Sequence, residues 1–271
     1  MRIAILGLLL LTACDKEASQ PQAKETGVKA VSTVAPAAPK PPPPNAKAFS
    51  AEGENDLYSF RFAWSAEAAA VPELVKRFTA DMEKTKAELA SSAKVDRDER
   101  KKEGFDFHPY ETQVSYETAG QSTRLLSLES GVYSFTGGAH GSSGSGAILW
   151  DRRSAQEVKI ADLLQPGQSW TGAIRQPFCV LLDRERVKRR GGPLEQGEMF
   201  SGCPAYKEVT VVIADKNGNG RFDHIQVTAD PYVAGPYVEG SYDIELPITA
   251  AMIARLKPEY RSSFEAQPPV Q

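Results

Sequence analysis

The stretch from Pro72 to Gly104 constrains the fold of this chain more than any other. Leu74, Val75, Phe78, Met82 and Leu89 fall on one face of a helix that Pro72 opens and Gly104 closes, because proline suits the first helical turn and glycine the left-handed cap. At 1.5 Å per residue this helix is about 48 Å long. From Lys94 to Glu103 the run is almost wholly charged and reads as a solvated extension. One apolar face asks for one partner layer, and the flanking segments supply it. Leu57–Trp64 alternates as a half-buried strand, and Phe107–Thr118 and Ser122–Ser130 read as strands around a turn at Ala119-Gly120-Gln121. Strand, helix and two strands make a βαββ unit.

The second strand runs on through Val132–Phe135 into the glycine-rich Thr136–Gly144, and Ala147–Asp151 is a further strand. Trp170, Ile174, Phe178, Leu181 and Leu182 mark a second long helix ending at Gly191-Gly192. Glu208–Ala214 and Phe222–Ala229 pair around a polar turn, Tyr242–Leu246 is a last strand, and Ala250–Leu256 a short closing helix. Hairpins separated by helices predict an α+β fold: a βαββ unit followed by an α/β-hairpin unit, with antiparallel sheets packed against two long helices.

The N-terminus sets the compartment. Arg2, the apolar Ile3–Leu11 and the closing Leu11-Thr12-Ala13-Cys14 form a secretory signal with a cysteine at the cut, the pattern of a bacterial lipoprotein. Residues 1–14 are then the signal, and Cys14 becomes the acylated first residue of a membrane-anchored, periplasm-facing envelope protein, in the inner or the outer membrane. Residues 15–52, rich in Ala, Pro, Lys and Gln and nearly free of aromatics, read as a disordered tether, because they have too little apolar surface to fold. With Cys14 lipidated, Cys179 and Cys203 are left as an even set in an oxidising compartment; a disulfide between them is the economical reading, and two free buried thiols are the alternative. A net charge of -3 gives no sign of nucleic acid as a partner.

Two segments carry a family resemblance: Tyr133-Ser134-Phe135-Thr136-Gly137-Gly138-Ala139-His140-Gly141 and Asp230-Pro231-Tyr232-Val233-Ala234-Gly235-Pro236-Tyr237. They resemble the paired extracytoplasmic domains of the PdaC deacetylase and RsiV anti-sigma factor family, in which a strand leads into a histidine-bearing glycine turn. The resemblance implies a PdaC-like domain over residues 53–135, an RsiV-like domain over 136–260 and a disordered tail over 261–271. It also implies envelope binding or sensing, with peptidoglycan or a lysozyme-like protein as partner. The chain ends soon after Leu256 where the deacetylases carry a catalytic domain, so their activity is not carried over. A glycan hydrolase or deacetylase and a structural envelope protein stay as alternatives.

Candidate site residues follow. His140, in a loop where backbone can approach a ligand closely, is a ligand contact, a weak catalytic candidate without a visible acid partner, or a histidine that pins its turn. Tyr232 and Tyr237, with Tyr242, could form an aromatic platform or pack as core and edge residues. Asp215, Asn217, Asn219 and Asp223, with Gly220 at the sixth position, match the front of an EF-hand loop. The twelfth position is Gln226, which lacks the bidentate carboxylate, so a structural calcium ion competes with a plain polar hairpin tip. No other cofactor is indicated. The basic run Arg184, Arg186, Lys188, Arg189 and Arg190 reads as the solvated end of a helix or as a polyanion contact.

Overall fold

Phe60, Phe62 and Trp64 alternate along β2 (Tyr58–Trp64) and pack with Leu74, Phe78 and Leu89 of α2 (Pro72–Glu103) in one apolar core. The computed structural model describes residues 46–192, 197 and 199–268, which belong to one compact unit. Ser65 caps α1 (Ala66–Ala69) by accepting from the Ala68 amide, and Gly104 closes α2 at φ 79°, in the left-handed region. β3 (Tyr110–Gln121) lies parallel to β2, a pairing that needs a crossover, which α1 and α2 provide. β4 (Leu125–Phe135), β5 (Ser142–Asp151) and β6 (Gln156–Val158) then pair antiparallel in chain order. β1 (Phe49–Glu54) is the antiparallel outer strand beside β2.

α3 (Thr171–Arg190) lies over a three-stranded antiparallel sheet of β7 (Thr210–Ala214), β8 (His224–Ala229) and β9 (Tyr242–Pro247), and α4 (Ala250–Ala254) follows. Trp170, Ile174, Phe178 and Leu182 recur at helical spacing and share a second core with Ile225, Val227 and Leu246. This core also takes Leu125 and Leu149 from the six-stranded sheet, whereas Leu126, Leu128, Ile148 and Trp150 belong to the α2 side. The start of β4 and the end of β5 are thus buried on both faces, and the two cores share the sheet as a common wall.

The α+β class and the two long helices agree with the sequence reading; the boundaries differ. The tether expected through residue 52 ends earlier, since Phe49–Glu54 is a strand paired with Ser59–Trp64. No domain boundary falls at 135, because β5 pairs with β4 over ten residues, from Leu125↔Asp151 to Ser134↔Ser142. The expected tail from 261 is ordered at its start: Phe264 is buried beside Phe222, Ser263 accepts the Ser122 hydroxyl proton, and the Gln267 amide donates to Ile248. Cys179 and Cys203 form the disulfide, with 5.5 Å between their Cα atoms, and it ties α3 to the loop before β7. Residues 1–45, with Cys14, lie outside the described residues.

Candidate functional site

Side chains two apart on a strand share a face, and along β4 one face changes character. Leu125 enters the second core, whereas Glu129, Gly131 and Tyr133 line an open cleft of about 550 Å³ on the side of the sheet away from α2. Strand register orders its floor into rows. Ala63, Ser115, Gly131 and Ser145 lie opposite one another across β2, β3, β4 and β5, and make a trough of small residues. One side of the trough is Arg61, Gln113, Tyr133 and Ser143; the other is the directly opposed pair Glu117 and Glu129. A Cβ on Gly131 would press on Ser115 Oγ at 3.3 Å. Thr228, Asp230, Ser241 and Asp243, around the ends of β8 and β9, form the wall.

The cleft is acidic: Glu117, Glu129, Asp230 and Asp243 face one guanidinium, Arg61, which lies 3.5 Å from Glu52. Burial pushes the Glu129 carboxyl above its ordinary range and nearby Asp243 adds to this, against a 2.8 Å hydrogen bond donated by the Gln226 amide. The Thr228 hydroxyl donates to Asp243 (2.7 Å) and the Ser145 amide to Asp230 (3.0 Å). Ser145 Oγ, in the trough, is buried without a hydrogen-bond partner.

An aromatic rim adjoins the Tyr133 end. The His140 ring stacks on Tyr237 with centroids 3.8 Å apart, and Tyr232 stands 6.2 Å from His140 and 5.9 Å from Tyr237. His140 Nδ1 is 2.8 Å from the Gly141 carbonyl. A carbonyl only accepts, so Nδ1 carries the proton, and in the neutral ring Nε2 accepts from the Tyr232 hydroxyl at 3.2 Å. Gly141 is needed there, because a Cβ would collide with the Tyr133 ring. Tyr232 is 55% exposed and adopts φ 71°, rare for a residue with a Cβ. Three residues singled out in sequence, His140, Tyr232 and Tyr237, thus meet, and the histidine's partners are a tyrosine and a carbonyl.

The rim is held from behind by the basic run. Arg186, completely buried, donates to the carbonyls of Ala234 (2.9 Å) and Gly202 (3.0 Å) and to Asp183. Arg189 donates to the Glu239 and Ser241 carbonyls, and Arg190 pairs with Glu239 at 2.9 Å, which holds the Glu239 carboxyl below its ordinary range. Gly235 lets Glu239 approach, since a Cβ would overlap its carboxylate. Arg186 and Arg190 fasten the Asp230–Tyr237 turn at Ala234 and Arg189 holds the segment after it, so these three do not form a free polyanion surface. Tyr242 is fully buried, donates to Glu239 and lies beneath Arg189, so it is a core residue and no part of a platform.

The Asp215 loop lies apart, at the far end of β4. The Asp215 amide bonds the Ala119 carbonyl beside the β3–β4 turn, about 33 Å along β4 from the His140 loop at 3.3 Å per residue. β7 and β8 flank it as a hairpin where an EF-hand has helices. Asp215 accepts from the amides of Gly218, Asn219 and Gly220, Asn217 accepts from the Asn219 amide, and Asp223 accepts from the Lys216 amide. Asn219 donates to Glu265. These bonds close the loop on itself as a hairpin tip. The cleft carboxylates escaped the sequence reading; the available signal was the change on one face of β4 from Leu125 to Glu129, Gly131 and Tyr133.

With this geometry in hand, comparison with known proteins is informative. Residues 51–143 match the family model described as Deacetylase PdaC. This segment is similar to a PdaC domain. The matched segment supplies most of β1, all of β2 to β4, α1, α2 and the cleft floor as far as Ser143, while Ser145 and the wall from β8 and β9 come from beyond it. The matched segment takes in the His140 loop. Among solved structures, the chain is similar to a DUF3298 family protein from Pseudomonas aeruginosa PAO1, with a TM-score of 0.51 and 19% identity over 82% of this chain and 96% of that one. It is also similar to a DUF3298 family member from Bacteroides fragilis NCTC 9343, at 0.46 and 14% over 80% and 96%. At such identities the first likeness speaks for the fold alone. No curated protein matches the sequence.

Proposed function

We propose that this chain is a lipid-anchored cell-envelope protein that binds a periplasmic ligand without transforming it, and that the ligand is cell-wall glycan. The observation that carries this reading is a trough of hydroxyl- and carboxylate-bearing side chains whose Tyr133 packs against Gly141, next to the stacked His140 and Tyr237. Sugars offer apolar C–H faces that stack on aromatic rings and rims of hydroxyls that need acceptors, so a platform beside a polar trough matches both. The lipoprotein pattern at Leu11–Cys14 supports the location.

Titrating the purified full-length protein with soluble muropeptides, by calorimetry with mass spectrometry of the recovered ligand, should give saturable binding and an unaltered ligand. Tyr237→Ala should weaken binding about tenfold through the lost stacking. Turnover that disappears in His140→Ala would establish the hydrolase or deacetylase reading instead. The four cleft carboxylates favour a second reading, a basic lysozyme-like protein as ligand; it predicts binding of such a protein and none of muropeptides.

A further inference from the structure

We infer that the sugar this cleft takes is an amino sugar with its nitrogen free and protonated, its ammonium at the Glu117, Glu129 and Asp243 end and its ring toward Tyr133 and the His140 rim. This rests on the glycan reading and narrows it. Glu117 and Glu129 stand directly opposite on adjacent strands, an arrangement that like charges disfavour. Among the described residues none of Glu117, Glu129, Asp230 and Asp243 forms an ion pair. Lys216, whose charge acts on Glu129, is bound to Glu245 at 2.5 Å, and Arg61 sits across the trough by Glu52. The cleft therefore holds a surplus of negative charge that no side chain neutralises.

An ammonium group has three donors and a charge, which suits a cleft end lined by two opposed glutamates and Asp243. An N-acetyl group in the same place offers one donor and a methyl, and it would displace water from Glu129 without supplying a countercharge. The remaining lining is suited to a sugar ring more than to a peptide amine alone. Small residues keep the floor flat. The raised Glu129 carboxyl agrees with a group that gains from an incoming cation.

The test is calorimetry of the full-length protein with a glucosamine tetramer, an N-acetylglucosamine tetramer and free lysine, at a mildly acidic pH that keeps the sugar amines protonated. The glucosamine tetramer should bind at least about tenfold more tightly than either of the others. Raising the salt should shrink that preference in the unmodified protein. Glu129→Gln combined with Asp243→Asn should bring the ratio of the two tetramers toward one, with circular dichroism reporting that the variant is folded. Equal or tighter binding of the N-acetyl tetramer, or lysine bound as tightly as the glucosamine tetramer, overturns this inference and leaves the glycan reading in place. Binding of neither tetramer overturns both.

Discussion

Glu129 titrates differently in the folded and the unfolded chain. Burial disfavours its charge, Asp243 adds repulsion, and the Gln226 amide only partly offsets them, so its carboxyl titrates above the ordinary range. The native state then holds this proton more tightly than the unfolded state does, so ionising Glu129 costs native stability. That cost is absent in acid, below the ordinary glutamate range, grows as pH rises through the raised value and is constant above it. Glu129→Gln keeps an acceptor for Gln226 and removes the titration. Its melting temperature should lie above the parent's at neutral pH, with the two curves merging in acid; equal melting temperatures at all pH values would contradict the assignment. A retained, costly carboxylate in a cleft is the usual trade of stability for binding. Sequence could not single it out. Alternation tells which side chains of β4 share a face, but only tertiary packing decides that Leu125 is covered and Glu129 bare. His140, Tyr232 and Tyr237 were legible because rare residue types stood in glycine- and proline-bearing turns, where a ligand can approach the backbone.

At the level of elements, the loop between α3 and β7 connects the disulfide to the rim. Cys203 is bound to Cys179 on α3, and the neighbouring Gly202 carbonyl accepts from buried Arg186, which also holds Ala234 in the Asp230–Tyr237 turn. Releasing the bridge frees a loop of 24 residues' separation in the unfolded chain, worth about 3 kcal/mol by chain entropy. Scanning calorimetry of Cys203→Ser should show a melting temperature lower by roughly 10 °C, and reductant should move the parent by a similar amount and the variant hardly at all. A shift within a degree or so would mean that Arg186 alone secures the loop. The helices and their caps were readable because apolar spacing and terminal glycines act locally. β1 was not: Phe49–Glu54 alternates apolar or small residues with polar ones but has no apolar run, and it is a strand because β2 offers an unpaired edge. The boundary at 135 failed for a related reason, since the glycines and serines of Ser142–Gly146 resemble a loop and become strand by pairing with β4.

For the molecule as a whole, the proposed function asks a shallow, open cleft to retain a polymer. A cleft of this kind binds a short glycan weakly, but a binder fixed to a membrane beside a continuous wall meets its ligand at a high effective concentration, so the anchor multiplies the affinity without a new contact. Among the described residues no helix is long and apolar enough to cross a membrane; in this proposal the acylated Cys14 provides the attachment. Cys14→Ser should abolish fatty-acid labelling and leave unprocessed precursor, with labelling as in the parent refuting lipidation outright. A second variant, with an ordinary cleavable secretory signal in place of residues 1–14, separates anchor from cleft. Released from the membrane, it should co-sediment with intact cell wall far less than the parent does in cells, while the purified protein binds a soluble muropeptide with unchanged affinity. Loss of both would place part of the binding site near the N-terminus, and loss of neither would mean that the cleft holds the wall without help from the bilayer.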